Sequence, residues 1–286
     1  MKINEISIIS GKGGTGKTSL VASLIPFFNN LVIADCDVDA PDLNILFQNS
    51  VKQQEDFSGL KRPVIDYDTC TKCGLCHQKC KFNAITKDIV INTPKCEGCG
   101  VCEFVCPVNA ITMNDSVVGR TFISQTKYGD MSHARLIPGE ETSGKLVSEV
   151  RRKAKQIAKD KKAHTIIIDG SPGIACNVIS SITGASKVVI VTEPTLSGLH
   201  DLQKVHNLVK QFRIPVYVVI NKYDLSKEQV KQIESYCENE NIEIALKIPF
   251  NKKMVEAISK KQIPSLYIKD FFKEINFDDF VKKLRQ

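Results

Sequence analysis

The chain has 286 residues, of which 42% are hydrophobic and 25% are charged, and its net charge is +7. This composition is ordinary for a globular protein, and the length leaves room for one large domain and a small one. No apolar run approaches the roughly 20 residues of a membrane-spanning helix. Because the chain starts directly with an apolar strand and its positive charge is spread out, we expect a cytoplasmic protein that binds neither membrane nor nucleic acid.

The first motif is a glycine-rich turn between a predicted strand, residues 6–10, and a predicted helix, residues 19–25. The turn consists of Gly11, Lys12, Gly13, Gly14, Thr15, Gly16, Lys17 and Thr18. Such a turn directs several backbone N–H groups at one anion. It matches G-x-G-x-x-G of dinucleotide folds and also G-x-x-x-x-G-K-[ST] of triphosphate-binding loops. The second pattern explains more residues, because in it Lys17 contacts the β- and γ-phosphates and the hydroxyl of Thr18 binds a magnesium ion.

Two further predicted strands end in acidic residues. One leads into Asp35, Asp37 and Asp39, and an apolar strand of residues 165–168 ends in Asp169. Open α/β sheets bind ligands at the carboxyl ends of their strands. We therefore expect these acids near the glycine-rich turn, with Asp169 holding magnesium through water.

A second lysine, Lys12, follows the first glycine of the turn. With it, the turn resembles the deviant phosphate-binding loop of the MinD/Mrp/nitrogenase-iron-protein class of ATPases. The resemblance implies that Lys12 reaches the phosphates of a second subunit across a dimer interface. It also implies that Lys17 and Asp37 are catalytic, with Asp37 positioning the attacking water, and that Asp39 is a further candidate for contact with magnesium.

The nucleobase site is expected after two later strands. Asn221, Lys222 and Asp224 form N-K-x-D, which is also the guanine-reading motif of small GTPases. In the MinD/Mrp class an asparagine after this strand contacts adenine, and Pro249 and Phe250 would close over the base. We favour ATP because the other features match the ATPase class, and GTP stays open as the alternative.

Eight of the eleven cysteines form two identical C-x2-C-x2-C-x3-C runs, and each run is followed by Asn-Ala-Ile-Thr. The first run is Cys70, Cys73, Cys76 and Cys80, and the second is Cys96, Cys99, Cys102 and Cys106. Clustered cysteines in a chain without a secretory signal indicate metal ligands rather than disulfides. This duplicated unit resembles a bacterial-type two-cluster ferredoxin.

In ferredoxins with this motif the fourth cysteine of each run binds the cluster of the other run. The resemblance therefore implies two 4Fe-4S clusters, one on Cys70, Cys73, Cys76 and Cys106 and one on Cys96, Cys99, Cys102 and Cys80. Pro107 follows the last cysteine of the second run, but the equivalent position after the first run is occupied by Lys81. We expect this departure from the motif to change the local turn. Structural zinc is the alternative. Two zinc sites would use two C-x2-C pairs each and would not require the further x2 and x3 spacings within each run.

The alternation of strands and helices predicts an α/β fold with a doubly wound, mostly parallel sheet of the P-loop NTPase type. A small α+β, ferredoxin-like domain at residues 61–116 is inserted between the two parts of the ATPase domain, residues 1–60 and 117–286. Residues 48–62 have the composition of a polar linker. Residues 270–286 predict one amphipathic helix that packs on the sheet.

The preferred function is an ATP-binding and ATP-hydrolysing switch, a homodimer with Mg²⁺, coupled to electron transfer through its two 4Fe-4S clusters toward an unknown redox or client protein. One alternative is an ATP-dependent assembly or carrier protein for iron–sulfur or metal cofactors. Another is a MinD-like positioning ATPase whose clusters sense redox state. Against the carrier, the C-terminal half lacks the C-x-x-C pair of Mrp-type carriers. Cys176 lies seven residues after Asp169, the spacing of a cluster-ligating cysteine in the nitrogenase iron protein, but no cysteine stands near residues 140–143 as the second ligand. Cys36, Cys176 and Cys237 are therefore interpreted as buried structural thiols. His133 is predicted to lie on a sheet surface.

Overall fold

The computed structural model describes residues 3–140 and 143–286. The strands are β1 (Asn4–Ser10), β2 (Leu31–Asp35), β3 (Asn49–Ile65), β4 (Ile111–Thr126), β5 (Gly129–Leu136), β6 (Thr165–Pro172), β7 (Lys187–Thr192), β8 (Val216–Asn221) and β9 (Glu243–Ile248). The helices are α1 (Lys17–Leu24), α2 (Leu43–Leu46), α3 (Leu75–Lys79), α4 (Val101–Phe104), α5 (Ser143–Asp160), α6 (Cys176–Ile182), α7 (Leu196–Lys210), α8 (Lys227–Asn239), α9 (Lys252–Ser259), α10 (Pro264–Tyr267), α11 (Lys269–Glu274) and α12 (Phe277–Arg285). In the part of the chain that is described, no helix has the length and apolar character needed to cross a membrane.

The strands form one sheet in the order β3-β4-β5-β2-β6-β1-β7-β8-β9. From β5 to β9 every neighbouring pair is parallel. The strands near the centre, β1, β6 and β7, are almost wholly buried, and each contains an apolar run, the longest being Val188–Val191 of β7. The predicted α/β fold with a large, mostly parallel sheet is confirmed.

The chain divides into two compact units. The first contains the described residues up to Gln54, Thr121–Arg135, and the chain from Ser143 onward. The second contains Glu55–Arg120 and the described residues from Leu136 to Glu140. All eight cysteines of the two runs therefore lie in the second unit.

Two apolar layers form the core of the first unit. Ile6 and Ile8 of β1 belong to one layer, while Ile9, on the opposite face of the strand, belongs to the other. The first layer includes the C-terminal helices, whose apolar residues are buried, as predicted. The prediction of a single helix there was wrong, because α11 ends before Ile275 and Asn276 adopts a left-handed conformation with φ of 56°.

The polar stretch before the first cysteine run is a strand, so its interpretation as a linker was wrong. Residues 48–62 lie largely within β3, an edge strand of the sheet. The segment from Ser50 to Asp56 is exposed on both strand faces. Alternation of apolar and polar residues appears only where one face is buried, and therefore no strand pattern was visible here.

His133 was predicted on the sheet surface but is buried on β5. It is 5% exposed, its ring stacks on Phe122 with centroids 5.0 Å apart, and its Nε2 atom lies 2.9 Å from the Ser124 hydroxyl. Burial lowers the pKa of His133 from 6.5 to about 4. The imidazole is therefore neutral in the folded protein at neutral pH.

We expect this histidine to make the fold sensitive to mild acid. His133 binds its proton at higher pH in the unfolded chain than in the folded chain. Its contribution to the free energy of unfolding is therefore fully present above pH 6.5 and is lost as pH falls toward 4. The loss from His133 between pH 7 and pH 5 is about 2 kcal/mol. Urea unfolding of wild type and His133→Gln at both pH values measures it, and equal pH dependence in the two proteins would contradict this assignment.

Candidate functional site

The glycine-rich turn leads from β1 directly into α1, which begins at Lys17. Gly16 has a left-handed φ of 89°, and a Cβ atom there would lie 2.3 Å from Nδ2 of Asn221. That same Nδ2 donates a hydrogen bond of 2.8 Å to the carbonyl of Thr15. The turn is therefore shaped by glycine and tied to the carboxyl end of β8, beside the first turn of α1.

Lys17 lies among three carboxylates at the carboxyl ends of β2 and β6. Its Nζ atom is 2.5 Å from Oδ1 of Asp169 and 3.5 Å from Oδ2 of Asp37, and it donates to Thr18 Oγ1 at 3.3 Å. Burial lowers the pKa of Lys17, but Asp169 and Asp37 raise it by more, so the pKa lies above its ordinary value. The structure thus brings four predicted site residues together around one buried cation.

Asp35, one of the acids expected near the glycine-rich turn, also belongs to this group, although the sequence assigned it no role. Asp35 is fully buried and lies in register with Asp169 on the neighbouring strand. Its carboxylate accepts hydrogen bonds from the backbone N–H groups of Asp37 and Leu43, at 3.2 and 3.3 Å. Burial raises the pKa of Asp35 well above its ordinary value, and the charge of Asp169 adds to that effect. Asp35 therefore shapes the acidic loop and the start of α2.

Two buried oxygen atoms at this site have no hydrogen-bond partner among the described residues. They are Oδ2 of Asp169 and Oγ1 of Thr15. A buried carboxylate oxygen without a hydrogen-bond partner costs free energy unless a bound ligand pairs with it. Magnesium binds oxygen ligands and keeps several of its water molecules, so it can pair with such an oxygen directly or through water. The residues present therefore fit a magnesium-bound phosphate. Asp39 is exposed, and within the described residues no ion pair joins it to Lys17.

Lys12, expected to reach across a dimer, is held within its own chain. Its Nζ atom lies 2.8 Å from Oε1 of Glu193 and 2.9 Å from Oγ of Ser197. Glu193 also accepts from Lys222 at 3.1 Å. Burial would raise the pKa of Glu193, but the two lysines hold it below its ordinary value. Sequence reasoning missed Glu193, because only the fold brings the end of β7 beside the turn.

A cavity of about 220 Å³ lies beside the glycine-rich turn. It is lined by Gly14, Gly16, Ser19, Asn221, Lys222, Pro249, Phe250, Asn251, Met254, Val255 and Ile258. The four residues that the sequence predicts around the base, Asn221, Lys222, Pro249 and Phe250, all belong to this lining. The apolar side chains of α9 form a wall that was not predicted, and such a wall suits a planar base.

The last residue of N-K-x-D is not among the residues that line this cavity. Oδ1 of Asp224 accepts a hydrogen bond of 2.6 Å from the backbone N–H of Phe250. In this chain Asp224 holds the loop after β9 in place.

The two cysteine runs of the second unit have matching local structure. Gly74 and Gly100 both adopt left-handed backbone angles immediately before α3 and α4. The thiols of the fourth cysteines each accept a backbone N–H four residues on, at 3.3 Å for Cys80 and 3.2 Å for Cys106. The internal repeat in sequence is therefore also a repeat in structure.

One cavity in the second unit is lined by four of these cysteines. They are Cys80, Cys96, Cys99 and Cys102. Cys80 comes from the first run and the other three come from the second, which is the set expected for one cluster. Arg62, which the sequence did not single out, donates to the carbonyl of Cys96 and pairs with Glu140 at 2.7 Å.

Three of the remaining four cysteines belong to the core of the same unit. Cys76 is buried in that core, and Cys70 and Cys106 pack against it. Cys73 is exposed. Across residues 3–140 and 143–286, no three His, Cys, Asp or Glu side chains are gathered closely enough to hold a single metal ion.

The three other cysteines do not share one environment. Cys36 and Cys237 are buried, as predicted, but Cys176 is exposed, so the prediction of a buried thiol there was wrong. Cys176 begins α6, and a Cβ atom on Gly144 of α5 would lie 3.1 Å from its Cβ.

Comparison with known proteins identifies the nucleotide-binding fold. The model of the CobQ/CobB/MinD/ParA nucleotide binding domain matches residues 6–265. The chain belongs to this family. An uncharacterized protein of Methanocaldococcus jannaschii is 37% identical over 224 residues, which cover 77% of this chain and 78% of that protein.

Solved structures show the same fold for the family. MinD from Pyrococcus horikoshii in complex with Mg-ADP has a TM-score of 0.61 and 17% identity, covering 99% of this chain and 96% of that one. Apo McdA from Cyanthece has a TM-score of 0.59 and 14% identity, with full coverage of both chains. Nucleotide binding is the property that the matching family model names.

Proposed function

We propose that this protein is an ATP-driven switch that controls electron transfer through two 4Fe-4S clusters. The proposal of an ATP-binding site rests on family membership and on the buried Lys17–Asp169 pair, beside a carboxylate oxygen that has no hydrogen-bond partner. Lys17 and Thr18 would bind the triphosphate and its magnesium ion, and Asp37 would orient the attacking water. Asp169 would hold the metal through water once Lys17 turns from it to the phosphates.

ATP rather than GTP is the proposed nucleotide. Recognition of guanine requires an acceptor for its N1–H and 2-amino groups, and Asp224, which holds the backbone N–H of Phe250, is not among the residues that line the cavity. The cavity offers apolar contacts from Met254, Val255 and Ile258 instead. These features favour adenine, which has fewer hydrogen-bond donors than guanine.

Replacing Asp224 with alanine tests this assignment. We expect ATP affinity to fall roughly three- to tenfold, because one hydrogen bond that fixes the base-contacting loop is lost. GTP affinity is expected to stay weak in both proteins. Equilibrium binding of fluorescent ATP and GTP analogues measures both, with Asp278→Ala, an exposed acid on α12, as control. Wild-type preference for GTP that disappears in Asp224→Ala would contradict the assignment.

The cluster half rests on the cavity lined by Cys80, Cys96, Cys99 and Cys102. A four-iron core binds each thiolate at a different iron, so its ligands stand farther apart than those of one zinc ion. When bound, the clusters would supply one-electron storage, and the chain's N–H···S hydrogen bonds to Cys80 and Cys106 would tune them.

Iron content and single-cysteine variants test the clusters and their ligand pairing. We expect about eight irons per chain. Cys80→Ala and Cys99→Ala should remove the same cluster and leave identical electron paramagnetic resonance spectra, while Cys73→Ala and Cys106→Ala remove the other. Cys237→Ala, outside both runs, should keep the full iron content. Zinc in place of iron, or Cys80 pairing with Cys73, would overturn this part of the proposal.

Coupling between the two halves is proposed to pass through the chain after Asp37. Asp35 accepts from the N–H of Leu43, the first residue of α2, and β3 begins three residues after that helix ends. A change at the acidic loop is therefore transmitted to the strand that enters the second unit. Lys12 would have to leave Glu193 before it could reach the phosphates of a second copy, so dimer formation would depend on nucleotide.

Exposure of Cys176 favours one alternative, an assembly or carrier protein. An exposed thiol at a helix start could share a further cluster with a second copy or a client. Iron in excess of the two-cluster content that is lost in Cys176→Ser would support this alternative. Unchanged iron content in that variant would leave the electron-transfer switch as the better account.

A further inference from the structure

Arg62 of β3 lies beside the second cysteine run with its side chain largely withdrawn from water. One terminal nitrogen of its guanidinium donates to the carbonyl of Cys96, and the other pairs with Glu140 at 2.7 Å. The side chain is 13% exposed. Its Nε atom is buried and has no hydrogen-bond partner in the part of the chain that is described. A permanent positive charge therefore lies at Cys96, and one buried N–H remains for a further acceptor.

The backbone of the second cysteine run packs directly on β3 at this point. Gly98 has a left-handed φ of 63°, and a Cβ atom there would lie 2.5 Å from the carbonyl oxygen of Lys61. A residue with a side chain at this position would push the run away from the strand. The glycine therefore keeps the loop between Cys96 and Cys99 against the strand that carries Arg62.

The internal repeat provides a comparison within the same unit. The counterparts of Arg62 and Gly98, offset by 26 residues, are Asp88 and Lys72. Asp88 is exposed and carries the opposite charge, and Lys72 bears the side chain that Gly98 lacks. The repeat therefore does not place a second buried cation at the equivalent position of the other run.

The charges around Arg62 decide how it affects a bound cluster. We call the cluster beside Arg62 the second centre, and its proposed ligands are Cys80, Cys96, Cys99 and Cys102. A four-iron core held by four thiolates is negative, and reduction makes it more negative by one electron. A neighbouring cation stabilises the reduced form more than the oxidised form, so it raises the midpoint potential. Glu140 offsets part of the charge of Arg62, whereas Glu97 of the cavity lining is exposed and is screened by water.

We propose that Arg62 raises the midpoint potential of the second centre and leaves that of the other cluster unchanged, and that Glu140 limits the increase. This inference rests on the proposed function, because it assigns a residue that tunes one of the two proposed clusters. Arg62 acts through its charge and through its unpaired Nε–H, without binding iron. Of the two cysteine runs, only the one beside β3 thus receives a buried cation from position 62.

A reductive titration of the full-length protein, followed by electron paramagnetic resonance, tests this role without turnover or an electron partner. Dithionite supplies each electron and is oxidised as the cluster is reduced. We expect Arg62→Gln to lower the ratio of reduced to oxidised second centre at a fixed potential roughly tenfold, which is a shift of about 59 mV for a one-electron couple. Arg62→Lys keeps the charge and should restore most of this ratio. Glu140→Gln removes the opposing charge and should raise the ratio above that of wild type.

Lys61→Gln is the matched control, because Lys61 is an exposed cation on the opposite face of β3. It removes the same charge and should change the ratio less than about twofold. Superimposable titration curves for wild type and Arg62→Gln would overturn the inference, as would equal shifts of both clusters. If Arg62→Gln loses its iron, Glu140→Gln decides, and a ratio that does not rise in that variant would overturn the inference. Wild-type protein that binds no iron would instead overturn the proposed function.

Discussion

Replacing Lys17 with glutamine is expected to lower ATP turnover roughly 100- to 1000-fold, the loss usual when one preorganised charge at a reacting group is removed. Lys17 is 6% exposed in its side chain and is the cation in contact with both Asp169 and Asp37. Its pKa lies above the ordinary value, so it is charged throughout the working pH range. Steady-state phosphate release at saturating Mg·ATP measures the effect.

The control for this experiment is Lys204→Gln, which changes an exposed lysine on α7 and should keep the wild-type rate. Circular dichroism of each variant distinguishes lost catalysis from lost folding, since glutamine leaves two carboxylates without their buried cation. Turnover within threefold of wild type in folded Lys17→Gln would contradict the assignment of the triphosphate site.

Replacing Arg151 with methionine is expected to lower the free energy of unfolding by about 3 kcal/mol, because a buried carboxylate loses its partner. Arg151 on α5 is 6% exposed and pairs with Glu5 of β1 at 2.6 Å. It also donates to the carbonyls of Ser180 and Thr183, at 2.8 and 2.6 Å. Lys155 lies 3.0 Å from the other oxygen of Glu5 and reduces the loss.

Urea unfolding of the wild type and three variants measures this effect. The double variant Glu5→Leu with Arg151→Met should recover part of the loss, since it removes the unpaired charge as well. Arg152→Met, at the exposed neighbouring arginine, should change stability by less than about 0.5 kcal/mol. A double variant no more stable than Arg151→Met alone would show that packing, rather than the buried charge, accounts for the loss.

Much of the candidate nucleotide site could be predicted from sequence, because each of its sequence motifs involves residues close together in the chain. A glycine-rich turn between a strand and a helix fixes the place of Lys17, and an apolar strand ending in Asp169 places an acid at the same sheet edge. The parallel register then brings Asp35 and Asp169 side by side. Each of these features depends on a few neighbouring residues and on the general rule for parallel sheets.

Other features could not be predicted because they depend on residues far apart in the chain. Glu193 meets Lys12 only after β7 is placed beside β1, and Asp224 meets Phe250 only after β9 is placed beside β8. The strand β3 gave no alternating pattern because neither of its faces is buried over its first half.

The central claim is that nucleotide state controls the iron–sulfur clusters, and their midpoint potentials test it most directly. Electron paramagnetic resonance titrations of the full-length protein should be compared without nucleotide and with a non-hydrolysable Mg·ATP analogue. We predict that the analogue shifts at least one midpoint potential in wild type and shifts none in Lys17→Gln. Identical titration curves with and without the analogue, in wild-type protein that contains about eight irons and binds the analogue, would contradict the account.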